Sequence, residues 1–165
     1  MSSIPKNTKR IWLVRWMYAA AAMHLLVGAL LPWIANASIF NNYHHGIELA
    51  FWGDAWNSLH TLTTSGAATV RAQQVWWISL FGPTVQSTAI WMGALVYFGD
   101  QQRSSFAWKA LIIGIVVWAP QDMLISLQAD CWNHVWVDLF AVVMMLPPLI
   151  WLWREDQARL TRAAS

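Results

Sequence analysis

Residues Val116–Phe140 read VVWAPQDMLISLQADCWNHVWVDLF. Two apolar arms flank a short polar centre, Gln128 to Cys131, and the apolar sequence continues upstream to Trp108 and downstream to Trp153. The arms, about 108–127 and 132–153, each hold roughly 20 residues, which at about 1.5 Å of rise per residue covers a hydrocarbon core of about 30 Å. So short a turn makes the two helices antiparallel neighbours. The stretch therefore predicts a helical hairpin that crosses a bilayer, yet it keeps three carboxylates, Asp122, Asp130 and Asp138.

The rest of the chain agrees with a bilayer. Of 165 residues, 58% are hydrophobic and 11% charged, against about 25% charged in a soluble domain. Two more apolar runs, about 12–34 and 75–98, bring the expected number of spans to four. Trp is abundant, with 14 residues. Trp12, Trp16, Trp33, Trp76, Trp77, Trp108, Trp132, Trp151 and Trp153 stand at the run ends, the place for an aromatic belt. The expected fold is an all-α integral membrane protein: one domain over 1–165, a four-transmembrane-helix antiparallel bundle.

Basic residues orient it. Lys6, Lys9, Arg10 and Arg15 open the first run, Arg103 and Lys109 flank the 99–107 connection, and Arg154, Arg159 and Arg162 follow the last run. The opposite side has only Arg71. Both termini are expected to be cytoplasmic, with a bacterial inner (plasma) membrane as the location. Ala35-Asn36-Ala37 fits a signal-peptidase pattern, but the preceding apolar run is longer than an ordinary signal core and contains His24, so it reads as a retained helix.

The 35–74 connection is long. Ile47, Phe51, Trp52, Trp56, Leu59 and Leu62 are spaced for one or two short amphipathic helices in the outer interface. Thr61–Gly66 reads as a turn or loop. His44, His45 and Glu48, with Asp54, His60 or His134, offer metal-ligand types, but Gly46 disfavours a clean helix and no recognised zinc spacing is present, so no metal site is assigned. The single Cys131 rules out a Cys-pair redox mechanism within one chain. A net charge of +2 with basic residues at run ends speaks against nucleic acid.

The polar residues inside the runs carry the functional expectation. Asp122 and Asp138 each lie eight positions from Asp130, so the hairpin sets them at similar depth, roughly 8–12 Å from its end. A charged Asp in hydrocarbon costs at least about 2.5–3.5 kcal/mol, which leaves a bundle interior or a wet cavity as its place. His134 stands four residues before Asp138, on the same helix face. Cys131 completes a nucleophile–base–orienter order, but i, i+3, i+7 spacing stacks the three along a line, poor geometry for thiol catalysis.

These residues predict an outward-opening polar pocket for a small lipophilic molecule. Asp122, Asp138 and His134 are the candidate acid/base groups. Gln121, Asn133, Gln86 and His24 are the candidate polar lining, with Trp118 and Trp136 as apolar walls. The bland alternative makes Gln86 and the polar run Phe81–Thr88 helix–helix glue. Two other functions fit the same sequence: a non-catalytic accessory, assembly or immunity-type subunit with a membrane-protein partner, and a proton-coupled transporter working as a homodimer. Membrane lipid is the partner common to all three. No cofactor is specified. No family is assigned: membrane disulfide oxidoreductases need Cys pairs, and the likeness of Asn133-x-x-Trp136 to sterol-isomerase-like four-helix membrane proteins covers only four positions.

Overall fold

The computed structural model describes residues 8–62 and 64–164, and the order of elements is α1 (Thr8–Ile34), a 3-10 turn (Ser38–Phe40), α2 (Asn41–Leu62), α3 (Thr64–Gln101), α4 (Ser105–Gln128) and α5 (Trp132–Ala164). Every described element is helical. Lys6 lies outside the described residues, as do the side chains of Asp54 and His60.

Three helices are long and apolar enough to cross a membrane: Thr8–Ile34, Ser105–Gln128 and Trp132–Arg162. Only 17%, 11% and 22% of their most apolar stretches is buried inside the protein. Exposed side chains include Trp33, Trp91, Phe106 and Phe140. Apolar surface on this scale needs an apolar surrounding, so the chain is an integral membrane protein.

The span count differs from the four expected. The 75–98 run lies within α3, a continuous helix of 38 residues, but that helix is not apolar enough to count. Its middle carries Gly82, Pro83, Thr84, Gln86, Ser87 and Thr88. The hydroxyls there turn inward on their own backbone: Ser79 donates to the Val75 carbonyl (2.7 Å), Ser87 to Pro83 (3.0 Å) and Thr88 to Thr84 (3.0 Å). Such back-bonding satisfies polar groups within one helix.

α1 packs chiefly on α3, and α4 on α5. The α1–α3 crossing is a backbone contact. A Cβ on Gly28 would sit 2.7 Å from the Gly82 carbonyl oxygen, and one on Gly82 would sit 2.7 Å from that of Gly28. Small residues permit this approach, as they do between membrane helices generally. A core of Met17, Val96, Trp108, Leu149 and Leu152 joins the two pairs.

Three local expectations change. Helix α2 runs to Leu62 and α3 begins at Thr64, so the described residues of the loop expected over Thr61–Gly66 are helical instead. Gly46 sits inside α2 rather than breaking it, and the break falls at Gly53 (φ 45°, ψ −128°), which divides α2 into two pieces. Trp108 is fully buried rather than part of an aromatic belt. Both tight interhelical turns use a left-handed residue, Arg103 (φ 53°) and Asp130 (φ 55°). Asp accepts that conformation more readily than most residues because its short polar side chain bonds locally.

Candidate functional site

The α4–α5 turn sets the geometry. Counting outward from Asp130, Ser126 and His134 are each four residues away, and Asp122 and Asp138 are each eight. The hairpin brings all four together. His134 presents Nδ1 to Ser126 Oγ at 3.2 Å. Its other nitrogen, Nε2, lies 3.7 Å from Asp138 Oδ1 and 3.9 Å from Asp122 Oδ2. One potential ligand atom from each of Asp122, His134 and Asp138 lies within 4.8 Å of the other two. The two carboxylates therefore do face each other, with the imidazole between them.

Their surroundings differ. Asp138 is 2% exposed, and its Oδ2 is buried with no hydrogen-bond partner. Asp122 is half-buried and accepts a hydrogen bond from Trp118 Nε1 at 3.0 Å. Native proteins pair nearly all buried polar atoms, so an orphaned carboxylate oxygen beside an imidazole marks a costly arrangement.

α2 closes over the same end. The Tyr43 ring meets that of His134 edge-on, with centroids 6.4 Å apart. Burial pushes the Tyr43 phenol up to about 12, with Cys131, Asp138 and Asp122 adding to the effect, so it keeps its proton at any physiological pH. Gly46 lets α2 approach α5, since a Cβ there would run into Asn133 Nδ2. α2 is itself held by a buried network. His44 is fully buried. It reaches the Ala35 carbonyl through Nε2 (2.7 Å) and the Gln74 amide through Nδ1 (2.9 Å). The carbonyl can only accept, so Nε2 carries a proton, and a neutral ring then needs a donor at Nδ1. The Gln74 side-chain oxygen Oε1 is the atom facing Nδ1, which leaves the Gln74 amide nitrogen buried without a partner; turning the amide over satisfies both groups. Arg71 adds contacts to Asn41 (2.8 Å) and to buried Glu48 (3.5 Å).

The expected lining is only partly assembled. Trp118 touches Asp122, and Asn133 touches Gly46. Gln121 is exposed and donates to the Val117 carbonyl (2.6 Å). Gln86 packs against Gly28 in the α1–α3 crossing. His24 bonds the Ala20 carbonyl of its own helix (2.8 Å). Trp136 is exposed at 62%. Burial raises the pKa of the Cys131 thiol, despite an opposing backbone hydrogen bond at His134, which keeps it a poor nucleophile. His45 lies 3.9 Å from Glu48, while among the described residues the groups close enough to share an ion are the hairpin's own three.

Tyr43 and Ser126 are the neighbours that sequence reasoning missed. Ser126 was recoverable, because the arithmetic that pairs Asp122 with Asp138 pairs Ser126 with His134. Tyr43 was not, since nothing in the 35–74 sequence says where α2 docks.

A shallow apolar groove of about 590 Å³ runs along the exposed side of α4 past Phe106, Lys109, Ile113 and Val117 to Trp118. It does not enclose the carboxylates, but its last residue is the one that donates to Asp122.

No protein family, characterised protein or solved structure matches this chain.

Proposed function

We propose that the chain binds a small lipophilic molecule at the α4–α5 hairpin and carries out acid/base chemistry on it, with Asp122, His134 and Asp138 as the working groups. The observation that carries this reading is His134 Nε2 held between two carboxylates, one of them buried with an unpartnered oxygen. A merely structural polar contact is expected to close into short, satisfied hydrogen bonds. Here the contacts to the imidazole stop at 3.7 and 3.9 Å, beyond hydrogen-bond range. Ser126 and Trp118 orient the outer atoms, and Tyr43 offers an O–H that stays protonated. The groove on α4 provides an apolar approach ending on Trp118. In this reading α3 is a fourth span, carried through the bilayer by its packing on α1, and the turn end of the hairpin faces outward.

The test is native mass spectrometry of the protein in nanodiscs, wild type against Asp122→Asn/Asp138→Asn. A small-molecule adduct present in the wild type and lost in the double variant is the expected result. Adducts retained equally by both forms, or a protein partner retained by both with no adduct, would overturn it.

A further inference from the structure

We infer that Asp122, His134 and Asp138 are the ligand set of a divalent transition-metal ion. This deepens the reading above and rests on the three groups being a working site.

Three features of the geometry point to a cation. First, the outer nitrogen of His134 is engaged by Ser126. When Nδ1–H donates to that hydroxyl, the Nε2 lone pair points between two carboxylates, and three electron-rich atoms converge. Metal-bound histidines are fixed in this manner, with the far nitrogen donating to a neighbouring oxygen. Second, the spacing suits an ion better than a proton. Bonds of about 2.0–2.2 Å in a tetrahedron set neighbouring ligand atoms about 3.3–3.6 Å apart; the two edges to His134, 3.7 and 3.9 Å, lie a few tenths beyond, and all three ligand atoms lie within 4.8 Å of one another, so an ion draws the two carboxylates inward. Third, Asp138 is 98% buried by residue, with an orphaned Oδ2. Two carboxylates balance a dication, so loading the site removes net charge from an environment that penalises it.

The ligand types narrow the ion. Imidazole with two carboxylates suits Zn²⁺, Fe²⁺ or Mn²⁺; Ca²⁺ takes six to eight oxygen ligands and Mg²⁺ keeps mostly water and oxygen. Three protein ligands leave a position for water or for the bound molecule, as catalytic metal sites do.

The experiment uses tag-free protein in mild detergent, stripped with chelator and titrated with Zn²⁺ alone, with Co²⁺ as the spectroscopic probe. One equivalent per chain and visible Co²⁺ bands of a four- or five-coordinate ion are expected. Asp122→Asn and His134→Gln should abolish binding, Ser126→Ala should weaken it roughly 10–100-fold, and Asp122→His should restore it by supplying another ligand. His45→Ala should leave it unchanged. Circular dichroism checks the fold of each variant, and half-buried Asp122 keeps the test open if changes at Asp138 do not fold. Absence of stoichiometric binding, or binding indifferent to Asp122 and His134, would overturn the inference. The small-molecule adduct is scored separately on stripped protein. An adduct without metal leaves the pocket standing and removes the ion. Metal binding without an adduct in stripped or reloaded protein keeps the ion and removes the pocket.

Discussion

Arg10 and Asp156, 146 positions apart, meet at the end of the protein opposite the α4–α5 turn, with the guanidinium Nη1 at 3.1 Å from both carboxylate oxygens. Both residues are buried, at 3% and 1% exposure. Arg10 also donates to the Gly99 carbonyl (3.2 Å), and Trp108 Nε1 donates to Asp156 (2.8 Å). One charge cluster thereby ties α1, α3, α4 and α5. Asp100 and Glu155 lie 3.5 and 3.9 Å from Arg10, and the half-exposed Arg103 lies 3.5 Å from Asp156, so removing Arg10 strips the buried carboxylate of its closest cation and leaves only that longer pair, a cost towards the lower end of about 3–5 kcal/mol. Arg10→Met should lower the thermal midpoint sharply. Arg10→Met with Asp156→Leu should recover much of the loss, as differential scanning fluorimetry of the two variants will show.

The glycines separate rigid from forgiving contacts. A Cβ at Gly28 would meet the Gly82 carbonyl and the Gln86 backbone nitrogen at 2.7 and 2.8 Å, and neither can step aside. Gly28→Ala should destabilise by about 1–3 kcal/mol through overpacking. At Gly46 the obstacle is the end of the exposed Asn133 side chain. Gly46→Ala should cost much less, and combining it with Asn133→Ala should cost little more than Asn133→Ala alone. Chemical denaturation of the four variants in detergent checks this ordering.

Tyr43 gives a pH signature. Its phenol is pushed up to about 12, chiefly by burial, against about 10 in an unfolded chain. The folded state holds this proton more tightly, so the contribution to stability is complete below about pH 10 and is lost as pH rises towards 12. The tyrosinate absorbance step that disappears in Tyr43→Phe should lie near 12, and the variant should lose less stability than wild type between pH 10 and 12.

How much of this was legible in the sequence follows from what periodicity and length encode. The α4–α5 hairpin was readable because a short polar turn between two apolar arms permits one geometry, and equal spacing from Asp130 fixed the relative depth of Asp122 and Asp138. Rotation about each helix axis was not encoded in that spacing, so their meeting across His134 had to come from the structure. The 75–98 run shows the opposite failure. Its apolar residues suggested a span, but Gln86, Pro83 and the hydroxyls dilute it, and its place in the fold comes from the Gly28–Gly82 contact with α1. Arg10 and Trp108 read as surface groups at a span end, yet they are buried, because their partner Asp156 lies beyond the apolar part of α5 and no local pattern links them.

The central claim is that the carboxylates at His134 are kept for function, at a cost to the fold. Thermal unfolding of Asp138→Asn against wild type, in one detergent and free of added metal, tests it most directly. Asn keeps the shape and removes a buried carboxyl whose Oδ2 has no partner, so a midpoint equal to or above that of wild type is expected, as when an active-site liability is relieved. A midpoint lower by several degrees would mean that Asp138 holds the helices together and is not kept for function.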